Sequence, residues 1–255
     1  MKSLFFIFGI VFSTTVALHN SAQAEPQFIF SDDVAQGVRK NISIGVQAGE
    51  DFFKTRLGIT FSKSFSVVAS NTDSFRKRNV PAKFYDSNCN GGYANPRFFV
   101  ICAESESFNR NQFAGGLDVQ QRVISLHEYV HVLQFEFTKI SAEPAWFQEG
   151  FAEHVVLLYK EKLGITNKKQ ELAWQRGLAR TLKYSLEQLE GRDRFNKSDK
   201  SVSAGMIAIA DLEERSGFQA FSTYYRLRGK GVSWKKAFEQ AFGVTTKEFY
   251  AGLQL

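Results

Sequence analysis

Apolar residues recur at helical spacing in the middle of the chain, between Asp118 and Phe137. The intervals alternate between four and three positions, at Val119, Val123, Leu126, Val130, Leu133 and Phe137. Residues at this spacing lie on one face of an α-helix, so the pattern predicts a helix with a buried stripe. Asp118, with Gln121 three positions later, is typical of a capping box and predicts where the helix begins.

The second half of the chain, about residues 141–255, is predicted to be an all-helical lobe. One helix runs from Pro144 to about Leu163 and ends at Gly164, with an apolar face of Phe147, Phe151, Val155 and Leu158. The segment from Leu172 to Leu189 is less regular, and residues 196–201 are predicted to form a polar loop. Further helical patterns, separated by glycines, are Ala204–Arg215, Phe218–Leu227, Trp234–Phe242 and Thr246–Leu253.

The first part of the chain, about residues 25–140, predicts a helix and a small sheet. Ser31-Asp32-Asp33 favours a helix start, and helical spacing of valine and isoleucine continues to about Leu57-Gly58. We expect this helix to pack behind the sheet. Phe65–Ser70 and Phe98–Ala103 are rich in valine and phenylalanine and predict strands. The two parts together predict one α+β domain with two lobes.

Residues 1–24 have the pattern of a secretory signal peptide. Lys2 precedes an apolar run from Leu4 to Leu18, and Ala22-Gln23-Ala24 is a small-residue cleavage site before Glu25. A membrane anchor is the alternative, but about 15 apolar residues are short for a membrane span. We therefore expect an exported, periplasmic or secreted protein that begins at Glu25 and has no stable membrane span after cleavage.

Export changes the interpretation of the two cysteines, Cys89 and Cys102. An oxidising compartment favours a disulfide between them, and two cysteines alone make a poor zinc site. The formal net charge is +6, but acidic residues are interspersed and no nucleic-acid motif is present, so no nucleic-acid partner is expected. A basic exported protein can contact anionic envelope polymers, although a solvated basic surface is the simpler interpretation.

Candidate metal ligands lie inside the helix predicted between Asp118 and Phe137, in His-Glu-Tyr-Val-His at residues 127–131. Because His127 and His131 are four positions apart on a helix, both imidazoles project from one face within reach of a single ion. Glu128 lies beside them and can take a proton from water at the metal. The segment therefore predicts a Zn²⁺ site that needs a third protein ligand.

The segment after Pro144 supplies candidates for the third ligand. Glu149 follows His131 by 18 positions, far enough for the chain to turn and return on a second helix. A carboxylate completes a two-histidine, one-glutamate site with an open fourth position, which is typical of catalytic zinc. Glu153, one turn later, is expected to accept the free ring N–H of a ligand histidine. His154 competes as a ligand, but it should point away from the face of Glu149, so we expect a surface histidine.

These segments resemble the gluzincin metallopeptidases of the thermolysin-like and aminopeptidase-like superfamily, and among them small bacterial peptidase-MA-like proteins. The specific resemblance covers residues 127–131 and 144–154, with a looser likeness over most of the rest. It implies that His127, His131 and Glu149 bind zinc, with Glu128 as general base. It also implies that Glu153 orients His127, in a zincin-like fold. In that fold an edge strand, here Gly92 to Asn95 or Phe98 to Ala103, pairs with an extended substrate; the alternative is that these segments form an ordinary core hairpin.

The chain departs from the gluzincin pattern at the group that stabilises the oxyanion. Relatives often have a tyrosine near the start of the helix that is predicted here to begin around Ser203, and this chain has none there. Tyr184, Tyr224 and Tyr225 are candidates to replace it, although each is also explained as a buried aromatic residue.

The sequence therefore predicts an exported zinc metallopeptidase that hydrolyses peptide or protein substrates. One alternative is a non-catalytic zinc-binding envelope protein whose cleft holds a peptide or a partner, and another is a basic cell-wall-binding module with structural zinc. The intact Glu128 favours the enzyme, and the open ligand position disfavours structural zinc.

Overall fold

The computed structural model describes residues 25–61, 64–71, 92–110, 115–138 and 143–253. The strands are β1 (Gln27–Phe30), β2 (Ser66–Ser70), β3 (Gly92–Asn95) and β4 (Phe98–Cys102). The helices are α1 (Gln36–Phe52), α2 (Glu106–Asn109), α3 (Gly116–Phe137), α4 (Ala145–Lys162), α5 (Lys168–Ala179), α6 (Arg192–Phe195), α7 (Lys200–Ser216), α8 (Gln219–Gly229), α9 (Trp234–Phe242) and α10 (Thr246–Gly252). A mainly helical chain with one small sheet confirms the predicted α+β class.

The four strands form one sheet in the order β1-β2-β4-β3. β2 pairs in parallel with β1 and β4, whereas β3 and β4 are antiparallel and joined through Pro96 and Arg97. β2 and β4 confirm the two predicted strands. The sequence pattern does not predict β1, because four residues at the edge of the sheet carry too short an alternation. β3 lies at the opposite edge of the sheet and β4 is internal. Of the two candidate edge strands, residues 92–95 therefore occupy the edge.

Helix α1 begins at Gln36, later than the predicted start at residues 31–33. Ser31 instead donates its hydroxyl hydrogen bond to Asp33 Oδ1, 2.6 Å away, in the turn before the helix. α1 packs chiefly on α3 and not behind the sheet as expected, and α3 is the helix that lies against β3 and β4. The close approach of α1 to α3 depends on glycine, because a Cβ on Gly45 would lie 2.4 Å from the carbonyl oxygen of Arg122.

Helix α3 confirms the predicted apolar stripe, since Val119, Val123, Leu126, Val130 and Leu133 are all buried. The predicted capping box is wrong: the helix starts at Gly116, with Gly115 as a cap that has no side-chain hydrogen bond. Asp118 and Gln121 instead accept hydrogen bonds from the Asn41 amide of α1, at 2.9 and 2.8 Å. The two side chains therefore join α1 to α3 and do not cap α3.

Helix α4 has the bounds that the sequence predicts, between Pro144 and a left-handed Gly164 at φ 71°. It packs against α3 on one side and α7 on another. At the crossing with α7, a Cβ on Gly150 would lie 2.3 Å from the backbone of Gly205, so two glycines bring these helices into backbone contact. Close packing on both sides holds α4 firmly against α3.

The described helices between Lys168 and Gly252 agree with the predicted helical character of the second half of the chain, with two corrections. α5 overlaps the first part of the segment from Leu172 to Leu189 that is predicted to be less regular, and α7 starts at Lys200, earlier than the predicted Ala204. The start of α5 is capped by the Asn167 side chain, which accepts a hydrogen bond from the backbone of Gln170. α8, α9 and α10 agree closely with prediction.

Some predictions fall on parts of the chain without a structural description. Residues 1–24 and Cys89 lie outside the described residues, so the signal peptide and the Cys89–Cys102 disulfide stay predictions. Cys102 is buried at the end of β4. Among the described helices, none combines the length and the apolar character needed to cross a membrane.

Candidate metal centre

The packing of α4 on α3 brings the three predicted zinc ligands together. His127 and His131 project from α3 and Glu149 projects from α4. The Nε2 atoms of the two histidines are 3.0 Å apart, and Glu149 Oε2 lies 3.3 Å from each of them. The three side chains form a compact group with one potential ligand atom from each.

These distances can be compared with the geometry of a zinc site. Zinc binds nitrogen and oxygen ligands at about 2.0–2.1 Å in a tetrahedron, whose edges are then about 3.3–3.4 Å long. The two distances from Glu149 Oε2 equal such an edge, and the distance between the histidine nitrogens is only slightly shorter. The donor set therefore fits one face of a zinc tetrahedron and leaves the fourth corner open.

Two further side chains hold the imidazoles of the histidines in this orientation. Glu153 Oε1 lies 3.0 Å from His127 Nδ1, which is the contact expected for a residue that orients a ligand. Gln134 Oε1 lies 2.8 Å from His131 Nδ1. Sequence reasoning missed Gln134, although its position one turn after His131 on the same helix is a usable signal.

The third ligand also has a partner that sequence reasoning missed. Arg192, on α6, donates a hydrogen bond to Glu149 Oε1 and another to Gln148 Oε1, the latter at 2.6 Å. Arg192 thereby occupies the carboxylate oxygen that faces away from the histidines. It lies 43 positions from Glu149, and no local sequence pattern connects the two residues.

Glu128 is next to the three ligand atoms but is not one of them. Its side chain is buried and lines a cavity of about 350 Å³, together with His127, Glu153 and Gly92 of β3. A Cβ on Gly92 would lie 2.5 Å from both Cγ and Oε1 of Glu128, so the backbone of β3 contacts the carboxylate directly. Burial raises the pKa of Glu128, which makes it a stronger base than an exposed glutamate.

The charged groups around the candidate ligands favour positive charge in the site. Burial alone lowers the pKa of His127, but hydrogen bonds to Glu149 and Glu153 outweigh it and hold this pKa well above the usual value. Burial raises the pKa of Glu149, yet the two histidines outweigh it and hold its pKa well below the usual range. Three carboxylates around two imidazoles favour a divalent ion.

His154 contradicts the prediction of a surface histidine. Its side chain is fully buried, and its Nε2 lies 2.6 Å from Glu213 Oε2 on α7. Lys168 contacts the same carboxylate at 2.7 Å. His154 is buried because α4 is covered by α7 on the side away from α3, and it takes no part in the group of ligand atoms.

The candidate tyrosines are engaged in the protein interior. Tyr224 donates a hydrogen bond to Glu143, and the hydroxyl of Tyr225 accepts one from Gln134 at 3.2 Å. Both side chains are almost completely buried, and Tyr184 packs against the hydrophobic core. None of the three belongs to the cavity beside Glu128.

Comparison with known proteins supports the fold. No protein-family model and no curated protein matches the sequence. Two crystal structures of an M1 zinc metallopeptidase from Deinococcus radiodurans, one of them of a point mutant, are similar to this chain. Their TM-scores are 0.55 and 0.54, and their sequence identities are 15% and 16%. In both comparisons the aligned region covers 89% of this chain and 47% of that enzyme. The chain spans about half the length of that protein, and the likeness shows that the two share a fold over that part.

Proposed function

We propose that this chain is a zinc-dependent metallopeptidase of the gluzincin type, exported by its N-terminal signal peptide and folded as one zincin-like domain. The observation that carries the proposal is the convergence of His127, His131 and Glu149 at the spacing of a zinc tetrahedron. The fold shared with a zinc metallopeptidase supports it. The resemblance of the two motif segments to small peptidase-MA-like proteins suggests the type of enzyme.

The ligand set leaves room for chemistry at the metal. His127 Nε2, His131 Nε2 and Glu149 Oε2 would hold Zn²⁺ by three of its four positions. Bound zinc supplies a Lewis acid, which polarises the scissile carbonyl and makes water more acidic. Glu153 and Gln134 keep the imidazoles turned toward that position.

Glu128 is the general base in this proposal. It is buried beside the ligand atoms without being one of them, so its carboxylate is free to accept a proton from the attacking water. It would then pass that proton to the amine that leaves. The raised pKa of its carboxyl group favours the first transfer, because a stronger base accepts the proton more readily. The leaving amine is a still stronger base and can take the proton afterwards.

An extended peptide is the substrate that the surroundings of Glu128 suit. The strand β3 forms the edge of the sheet and contacts Glu128 through Gly92, so a peptide pairing with that edge would pass the base. The cavity beside Glu128 is lined on one part by the apolar side chains of Val123, Ile124 and Val156 and on another by polar side chains that include Gln120 and Lys160, and it would receive one substrate side chain.

One observation favours the alternative of a non-catalytic zinc-binding envelope protein that holds a peptide in the cleft. Tyr224 and Tyr225 are buried and already hydrogen-bonded, so neither is placed to stabilise an oxyanion. The two functions share the metal site and differ in the use of Glu128.

A single comparison separates them: wild type and Glu128→Gln are incubated with a peptide library and an unfolded protein, and zinc is measured in both. We expect each protein to hold about one zinc ion, since Glu128 is not a ligand, and only wild type to cleave, because the amide cannot accept the proton. Equal cleavage by the two proteins would refute the role of Glu128. A zinc-loaded wild type that cleaves nothing would support the peptide-binding alternative.

A further inference from the structure

Gln134 is a buried polar residue at the centre of a network around the metal ligands. It lies on α3 one turn after His131, and its side chain is 1% exposed. Its Oε1 lies 2.8 Å from His131 Nδ1. Its Nε2 donates to the backbone oxygen of Gln148 at 3.1 Å and to the hydroxyl of Tyr225 at 3.2 Å. Gln134 thus connects α3, α4 and α8.

The partner on α4 determines which way the Gln134 amide faces. The backbone oxygen of Gln148 can only accept a hydrogen bond, so the group that faces it must be the NH₂ of Gln134. The reversed amide would place two oxygen acceptors against each other in a buried site, which is costly. The carbonyl oxygen of Gln134 must therefore face His131.

This orientation in turn decides the tautomer of His131. Because Gln134 Oε1 is an acceptor, His131 Nδ1 must carry the hydrogen that it donates. The other ring nitrogen, Nε2, is the atom that lies beside His127 and Glu149. A ligand nitrogen has to be unprotonated to bind a metal, and this tautomer leaves it so.

We propose that Gln134 is a positioning residue that holds His131 in the metal-binding tautomer and ties it to the backbone next to Glu149. The inference rests on the proposed zinc site. Gln148 immediately precedes Glu149 in α4, so the same amide that orients one ligand also sets the distance between the helices that carry two of them.

The choice of an amide for this position follows from the charge of the site. His127 is oriented by the carboxylate of Glu153, and Glu128 and Glu149 add two more carboxylates nearby. A further carboxylate in place of Gln134 would be buried and would face the Gln148 carbonyl oxygen, which repels it. An amide accepts from His131 and donates to Gln148 without adding charge.

The test uses Zn²⁺ itself as the probe and the whole chain. Gln134→Met removes the acceptor and both donors at nearly constant volume, and we expect it to weaken zinc affinity by about 10–100-fold. In NMR spectra of the zinc-loaded wild type, the Nδ1–H protons of His127 and His131 should both be observable. In Gln134→Met only the signal of His131 should be lost to exchange with water, because only this proton has lost its acceptor.

Two further variants separate tautomer control from general stability. Gln120→Met is the matched control, because Gln120 is the other buried glutamine of α3 that donates to a backbone oxygen, that of Ser107 at 2.8 Å. Its side chain makes no hydrogen bond to a candidate metal ligand, so Gln120→Met should leave zinc affinity and both Nδ1–H signals unchanged. Gln134→Glu restores the acceptor for His131 but not the donor to Gln148, so it should recover most of the affinity with a lower melting temperature.

Several outcomes would overturn the inference. Zinc affinity of Gln134→Met within twofold of wild type would do so, as would an unchanged His131 Nδ1–H signal or an equal loss of affinity in Gln120→Met. The variants are compared by zinc affinity and NMR signals and not by hydrolysis. If the wild type binds zinc without cleaving peptides in the separate digest, only the proposed function is contradicted. A wild type that binds no zinc would refute both proposals.

Discussion

Gly92 offers a sharp test of how the sheet positions Glu128, the proposed general base. A Cβ at this residue would lie 2.5 Å from Cγ and Oε1 of Glu128 and 2.6 Å from its carboxyl carbon. Ordinary contacts of such atoms are about 3.5 Å, so in Gly92→Ala the carboxylate must move by about 1 Å. Gly92 has no positive φ, and alanine therefore brings no backbone strain of its own.

A displacement of about 1 Å at the reacting groups can lower the rate about 100-fold, which corresponds to about 2.7 kcal/mol in the activation free energy. We expect Gly92→Ala to lower kcat by this order in a peptide-cleavage assay, with zinc content unchanged, because Glu128 is not a ligand. Gly37→Ala is the matched control, since a Cβ there meets nothing within 4 Å. Wild-type kcat in Gly92→Ala, or loss of its zinc, would show that β3 does not act through Glu128.

Two other side chains give predictions with different readouts. Glu153→Ala should weaken zinc binding by about 10–100-fold in a chelator competition, because His127 loses the acceptor on its Nδ1; unchanged affinity would contradict that role. Burial raises the pKa of Glu213, but hydrogen bonds from His154 and Lys168 outweigh it and hold this pKa at about 2. Since a lowered pKa stabilises the fold above the ordinary value of 4.5, that contribution should be lost as pH falls from about 4.5 towards 2. In chelator, wild type should therefore lose about 2 kcal/mol more stability over this range than Glu213→Gln, and parallel melting curves would refute the argument.

The sequence by itself determines the helices that carry the site. The apolar stripe from Val119 to Leu133 and the bounds of α4 between Pro144 and Gly164 are local patterns, and the structure has both. The spacing of His127 and His131 on one helix face is local as well. Such features depend on neighbours within a few positions, and this is why periodicity and turn residues predict them.

Local sequence patterns do not predict features that depend on contacts between residues far apart in the sequence. The capping box expected at Asp118 does not form, and Asp118 instead accepts a hydrogen bond from Asn41, which is 77 positions away. His154 is buried because α7 covers it, through Glu213 at a separation of 59 positions. The short strand β1 exists only because β2 pairs with it.

The same distinction divides the metal centre itself. The sequence predicts which residues would bind an ion, because histidine and glutamate at helical spacing suit zinc. Only the tertiary structure decides that Arg192 binds one oxygen of Glu149 and that Gly92 lies against Glu128, whereas Gln134 contacts His131 from one turn along the same helix. These partners come from other turns, helices and strands, and the packing of α4 on α3 is what brings the two halves of the ligand set within bonding distance of one ion.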